Sequence, residues 1–170
     1  LRAKVLEAML PFLREQWGNA GSGHHVGRPV AKAVHAARRS VAATFGVPAA
    51  GVVFCSGATE ADNLALRGAL AVRPDRRHVV VSAIEHPAVL ECAQAMADEG
   101  ICELAIVGVD ARGVIDLDAL EAAIEPGRTA VVAVMGANNE TGVIQPIDAV
   151  AERARAAGAW TLVDAVQLIG

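Results

Sequence analysis

Tyrosine is absent from this 170-residue chain, and aromatic residues together reach only 3%. A protein so poor in aromatic rings lacks the platforms on which nucleic-acid bases stack. Its net charge of −4 argues against an electrostatic hold on nucleic acid or an anionic membrane surface. Cysteine is scarce as well: Cys55, Cys92 and Cys102 are an odd number with no C-x-x-C spacing. That pattern disfavours a disulfide framework or a zinc knuckle and points to a reducing compartment, the cytoplasm. His24, His25, His35, His78 and His86 show neither H-x-x-x-H nor H-E-x-x-H spacing, so no metal site is expected. No G-x-x-x-x-G-K-S/T occurs, and no G-x-G-x-x-G follows the first strand, which disfavours nucleotide triphosphates and nicotinamide cofactors. The longest uncharged stretch, residues 40–59, is broken by Gly46-Val47-Pro48, Gly51 and Ser56-Gly57, so no membrane span is expected. Lysine is the most telling shortage. Only Lys4 and Lys32 are present, both early in helical patterns, so a reaction that needs a lysine elsewhere cannot be completed by these residues.

What is present is a globular composition, 54% hydrophobic and 20% charged. Leu6, Met9, Leu10, Leu13 and Trp17 recur at helical spacing, with Pro11 expected to kink or split that helix. A turn-rich loop, residues 18–23, precedes a second helix marked by Val30, Val34, Ala37, Val41 and Phe45 and ended by Gly46. Valine-rich runs at 52–55, 79–81, 104–109, 130–135 and 161–163 then alternate with helical stretches at about 60–70, 87–99, 117–124 and 146–157. Pro87 and Pro146 suit first helical turns, and Gly158 suits a position just past a helix end. Strands without polar alternation are buried on both faces. The expected fold is therefore α/β, a mostly parallel sheet with helices on both faces.

Ligands of such sheets collect at the carboxyl ends of the strands, where the unusual residues of this sequence fall. Residues 55–63, Cys-Ser-Gly-Ala-Thr-Glu-Ala-Asp-Asn, run from a strand through a small-residue turn into a helix. Free N–H groups there, with the Thr59 hydroxyl, would hold a phosphate, although ordinary capping by Ser56 or Thr59 accounts for the same residues. His86, between a strand and a proline-started helix, would stack on a flat cofactor ring or move protons, or is a plain turn histidine. Asn138-Asn139, before Glu140-Thr141-Gly142, would bind a ligand or build an Asx turn. Asp164 ends an apolar strand, where an unpaired carboxylate is costly. A protonated pyridine nitrogen would answer it, as would a cap or an arginine.

In this order, the motifs Ser56-Gly57-Ala58-Thr59-Glu60-Ala61-Asp62-Asn63, Glu85-His86-Pro87-Ala88-Val89, Ala137-Asn138-Asn139-Glu140-Thr141-Gly142 and Val163-Asp164-Ala165-Val166-Gln167 resemble one family. It is that of the cysteine desulfurases of the nitrogen-fixation and iron–sulfur-cluster type, class-V aminotransferase relatives that use pyridoxal 5'-phosphate. Gly18-Asn19, Ser22, His24 and Gly27 are similar to an early segment of the same family, from which Ala20 and Gly21 depart; Cys55 stands where a threonine is usual. The resemblance implies the large domain of an aspartate-aminotransferase-like (fold type I) transferase. It also implies roles: Ala58 and Thr59 on the cofactor phosphate, His86 stacked on the pyridine ring as the catalytic histidine, and Asn139 at the ring hydroxyl or substrate carboxylate. Asp164 would pair with the pyridine nitrogen and Gln167 with the ring oxygen.

The substrate implied is L-cysteine, converted to L-alanine in a homodimer that hands its sulfur to an acceptor or iron–sulfur scaffold protein. The family's Schiff-base lysine, persulfide-forming cysteine loop, short amino-terminal segment and small carboxy-terminal domain have no counterpart in residues 1–170. The chain begins at Leu1 within a helical pattern and stops at Gly170 after an apolar strand. The expectation is a truncated cofactor-binding large domain, inactive by itself and prone to associate. Another class-V aminotransferase or lyase, or a non-catalytic truncated protein, are the alternative readings.

Overall fold

The computed structural model describes residues 1–169 and divides them into two compact units, residues 1–54 and the part from Cys55 onward.

The first unit consists of α1 (Ala3–Arg14), α2 (Gly27–Phe45) and a 3-10 turn at Ala49–Gly51. Pro11 lies inside α1 without splitting it, and the helix ends at Arg14, short of Trp17. The carbonyl of Pro11 accepts from the amides of both Glu15 (2.9 Å) and Gln16 (2.8 Å), and the helix closes there. α2 starts at Gly27, a turn before the first apolar marker, and stops at Gly46 in the left-handed conformation (φ 64°). A Cβ on Gly27 would lie 2.4 Å from the Ser22 carbonyl oxygen and 2.5 Å from that of Asn19, so the 18–27 loop closes directly on the glycine backbone.

One expected strand does not form. Residues 52–55 belong to no strand, and the Val52 carbonyl accepts instead from Arg38 Nε at 3.1 Å. A β-branched run makes a strand only where a neighbouring strand takes its backbone groups, and among the described residues none lies beside it. Val53 and Phe54 are correspondingly exposed.

The second unit alternates α3 (Ala58–Val72), β1 (His78–Ser82), α4 (Pro87–Asp98), β2 (Glu103–Val107), α5 (Leu117–Ala123), β3 (Thr129–Ala133), α6 (Ile147–Ala156) and β4 (Trp160–Leu162). The strands form one parallel sheet in the order β2-β1-β3-β4. Every residue of β1 and β3 is buried, as their unbroken apolar runs require. Val79 and Val81 pack with Leu66, Val89 and Met96 of α3 and α4, whereas Val80 packs on the opposite face with Leu120 and Val150 of α5 and α6. Each such valine contributes roughly 1.5–3 kcal/mol by leaving water. The helices thus cover both faces, as the sequence indicates. Gly158 follows α6 with φ 71°, and Pro87 opens α4 at its first position, while Pro146 caps α6 from just outside.

The order of strands fixes where a ligand can enter. The chain leaves β1 for β2 on one side and leaves β3 for β4 on the other. The crevice between the carboxyl ends of β1 and β3 is therefore the switch point of the sheet.

Candidate functional site

A cleft opens at that switch point. Its rim is Ala58 and Thr59 from the start of α3 and His86 from the start of α4. Met135, Ala137 and Asn139 follow β3, and Asp164, Val166 and Gln167 follow β4. All of the sequence-indicated residues, Ala58, Thr59, His86, Asn139, Asp164 and Gln167, thus share one cavity. Met135, Ala137 and Val166 also line it and carry no chemical signature that sequence reading could have picked out.

α3 begins without a side-chain cap. Its N-cap is Gly57, and neither Ser56 nor Thr59 accepts from the first-turn amides. Ser56 instead donates its own N–H (2.6 Å) and hydroxyl (2.7 Å) to Glu60 Oε2. Those bonds hold the Glu60 carboxyl below its ordinary range. The capping reading is thereby corrected, because the acid of the first turn reaches back to the serine and leaves the amides of Ala58 and Thr59 free. Unmatched amides at the positive end of a helix suit an anion such as a phosphate. Asn63 Nδ2 bridges the Thr59 (2.9 Å) and Ala88 (3.1 Å) carbonyls, which fixes the starts of α3 and α4 relative to each other.

His86 is the N-cap of α4, its Nδ1 accepting from the Ala88 amide at 3.1 Å. An accepting Nδ1 puts the neutral ring's proton on Nε2 and fixes the ring plane beside the cleft. The two asparagines divide the roles that their sequence left open. Asn138 builds the Asx turn, its Oδ1 accepting from the amides of Glu140 (3.0 Å) and Thr141 (2.9 Å), while Asn139 faces the cleft.

Asp164 is buried, and its Oδ1 accepts from the Val166 amide at 3.0 Å. No arginine, lysine or histidine pairs with it among the described residues. Two more buried carboxyls, Asp62 and Glu85, stand near it, and neither carries a role in the sequence reading above. Burial raises the Asp62 carboxyl, the Asp164 charge adds to this, and His86 opposes it. Burial also raises Glu85, while hydrogen bonds from Ser82 and Met135 lower it, and the charges of Asp164 and Asp62 raise it further. The site thus gathers three buried carboxyls with no cation beside Asp164 among the described residues, and a positively charged ligand atom at Asp164 would supply one.

Elsewhere, Cys92 and Cys102 are buried core thiols, and burial pushes the Cys102 thiol up, the opposite of nucleophilic activation. No group of metal-ligating residues assembles among the described residues. No helix among them is long and apolar enough to cross a membrane.

The family model for aminotransferase class-V matches residues 1–170. The chain belongs to the class-V aminotransferases. Two curated relatives of this class-V chain are cysteine desulfurases. That of Cereibacter sphaeroides is 46% identical over 100% of this chain and 44% of its own length. That of Nostoc sp. is 42% identical over 98% of this chain and 41% of its own. Among solved structures, a NifS-like protein superposes with a TM-score of 0.93 at 35% identity, covering 99% of this chain and 47% of that one. DndA from Streptomyces lividans superposes at 0.87 with 37% identity, covering 99% and 47%. The chain therefore spans less than half the length of these relatives.

Class-V aminotransferases use pyridoxal phosphate, and the cleft of this class-V chain fits that group. The uncapped start of α3 offers amides to a phosphate, and the buried Asp164 carboxylate has no cation of its own. The side chains of Thr59, Asn139 and Gln167 face the cleft without a hydrogen-bond partner among the described residues.

Proposed function

We propose that residues 1–170 are the cofactor-binding part of the large domain of a cysteine desulfurase, an enzyme that releases L-alanine from L-cysteine and keeps the sulfur as a persulfide. The observation that carries this reading is the convergence of the strand-end motifs on one cleft at the switch point. The cysteine desulfurases found at 42–46% identity support the choice of reaction.

Ala58 and Thr59 would hold the cofactor phosphate through backbone amides and the Thr59 hydroxyl. Asp164 would keep the proton on the pyridine nitrogen, its negative charge held beside that atom by the bond from the Val166 amide. His86, fixed by its cap on Ala88, would lie against the ring with its Nε2–H free to donate. Gln167 would donate to the ring oxygen, and Asn139 would reach the ring hydroxyl or the substrate carboxylate. Bound there, pyridoxal phosphate supplies an electron sink for the carbanion that forms at the substrate α-carbon.

The working enzyme in this proposal is a cytoplasmic homodimer that passes sulfur to an acceptor such as an iron–sulfur scaffold protein. A thiolate must take the sulfur, because a thiol is a poor nucleophile. Neither Lys4 nor Lys32 belongs to the unit that carries the cleft.

Calorimetric titration with pyridoxamine 5'-phosphate, which needs no lysine to bind, tests the cofactor assignment. Saturable binding that Asp164→Asn weakens is the expected result, and absence of binding overturns the reading. Incubated with pyridoxal phosphate and L-cysteine, the 170 residues alone should form no alanine; turnover would sink the proposed division of roles.

A further inference from the structure

The sheet ladder between β1 and β3 stops where the cleft begins. β1 ends at Ser82 and the chain turns away through Ala83 and Ile84, while the chain beyond β3 continues through Val134 and Met135 to a bend at Gly136. On its far side that continuation stays paired with the end of β4 and the chain just after it: the Val134 amide donates to the Leu162 carbonyl (3.0 Å) and the Gly136 amide to that of Asp164 (2.7 Å). On its near side the Met135 amide has lost its backbone acceptor, in a residue only 2% exposed. An orphaned amide at that depth is costly.

Glu85 takes the place of the missing strand. Its Oε1 accepts from the Met135 amide at 2.6 Å and from the Ser82 hydroxyl at 2.5 Å. The side chain is 6% exposed, and its other oxygen, Oε2, has no partner among the described residues. The residue after Glu85 is His86, and the residue after Met135 is held by Asp164. One side chain therefore links the two walls of the cleft.

We propose that Glu85 is a positioning residue: by tying the end of β1 to the chain beyond β3, it sets where His86 and Asp164 stand across the cleft. It is not among the residues that line the cleft. The consequence for ligand binding rests on the cofactor reading given above, but the tie itself does not. What the tie requires is an acceptor oxygen at the right reach, and a neutral group supplies that as well as a charged one. Burial and the neighbouring Asp164 and Asp62 charges favour the neutral form of this carboxyl.

The test compares Glu85→Gln, which keeps the acceptor and its reach, with Glu85→Asp and Glu85→Ala, which withdraw it. In the ligand-free protein, hydrogen exchange of the Met135 amide and the ring-nitrogen shifts of His86 are read by NMR. Glu85→Asp should speed Met135 exchange by about tenfold or more, the scale of a lost buried hydrogen bond, and move the His86 signals. Glu85→Gln should leave both near the unsubstituted protein. Should Glu85→Ala fail to fold, Glu85→Asp still decides. Unchanged exchange in Glu85→Asp, or a Glu85→Gln variant as disturbed as Glu85→Asp, overturns the proposal.

Affinity for pyridoxamine 5'-phosphate is measured on the same proteins. It should fall about tenfold in Glu85→Asp and be largely rescued in Glu85→Gln. Equal affinity in all variants overturns the positioning role. Failure of the unsubstituted protein to bind this probe overturns the cofactor reading, while the ligand-free NMR comparison still decides the tie.

Discussion

At the scale of single residues, the cleft is defined by charge that nothing within the described residues neutralises. Asp164 is the carboxylate facing the cavity, so Asp164→Asn should weaken binding of pyridoxamine 5'-phosphate by roughly tenfold to a hundredfold, read by calorimetry. Asp62 stands near it, with Oδ2 buried and unpartnered among the described residues. Its carboxyl is raised by burial and by Asp164, so folding favours its protonated form. The stability that Asp62 contributes is therefore complete below the ordinary carboxylate range and is lost as pH rises through its raised value. Asp62→Asn should remove that loss. The variant should match or exceed the unsubstituted protein by about 1 kcal/mol at neutral pH, with the gap closing in acid, as read from melting temperatures across pH. A stability gap independent of pH would contradict this. Asp164 was legible in the sequence because a carboxylate at the end of an apolar strand is conspicuous. Asp62 and Glu85 were not, because an acid near a helix start or in a loop is ordinarily solvated, and only packing reveals otherwise.

At the scale of elements, local chemistry and tertiary context contributed differently. α5 is short and depends on its cap: Asp116 Oδ1 accepts from the amides of Asp118 and Ala119, both at 3.0 Å. Asp116→Ala should cost about 1 kcal/mol in denaturant unfolding, and no change would show that packing of Leu120 alone holds the helix. Gly27 presents the opposite case, since two carbonyl oxygens occupy the space a Cβ would need and backbone cannot give way as a side-chain tip can. Gly27→Ala should destabilise the first unit by about 1–3 kcal/mol, followed by the chemical shifts of residues 18–27. Helix ends marked by Gly46 and Gly158 were readable because a positive φ selects glycine. The run at 52–55 misled, since β propensity describes a side chain's fit to a sheet and cannot supply the neighbouring strand. The start of α3 misled in another way: two hydroxyls suggested a cap, but Glu60 engages Ser56 first.

At the scale of the whole molecule, apolar surface is left open in both units. Leu6, Met9, Phe12 and Trp17 in the first are at least partly exposed, as are Ile144, Val166 and Leu168 in the second. Surface of this kind favours association. Sedimentation velocity should show concentration-dependent species above the 17.5 kDa monomer, and a single monomeric boundary at all concentrations would count against it. The alternation of strand and helix made the layered parallel sheet legible, and the apolar pattern of the central strands β1 and β3 matches their burial. The edge strands β2 and β4 stay partly exposed because each lacks a neighbour on one side among the described residues. The order β2-β1-β3-β4 has a kinetic consequence. Neighbours β1 and β2 are joined by a single helix, and so are β3 and β4, but His78 of β1 meets Thr129 of β3 across 51 residues. Loop-closure entropy disfavours that pairing until both flanking units exist. The cleft thus lies at the longest-range closure of the sheet. A ligand that bridges β1 and β3 in the closed sheet will hold that seam against opening, slowing unfolding more than it speeds folding.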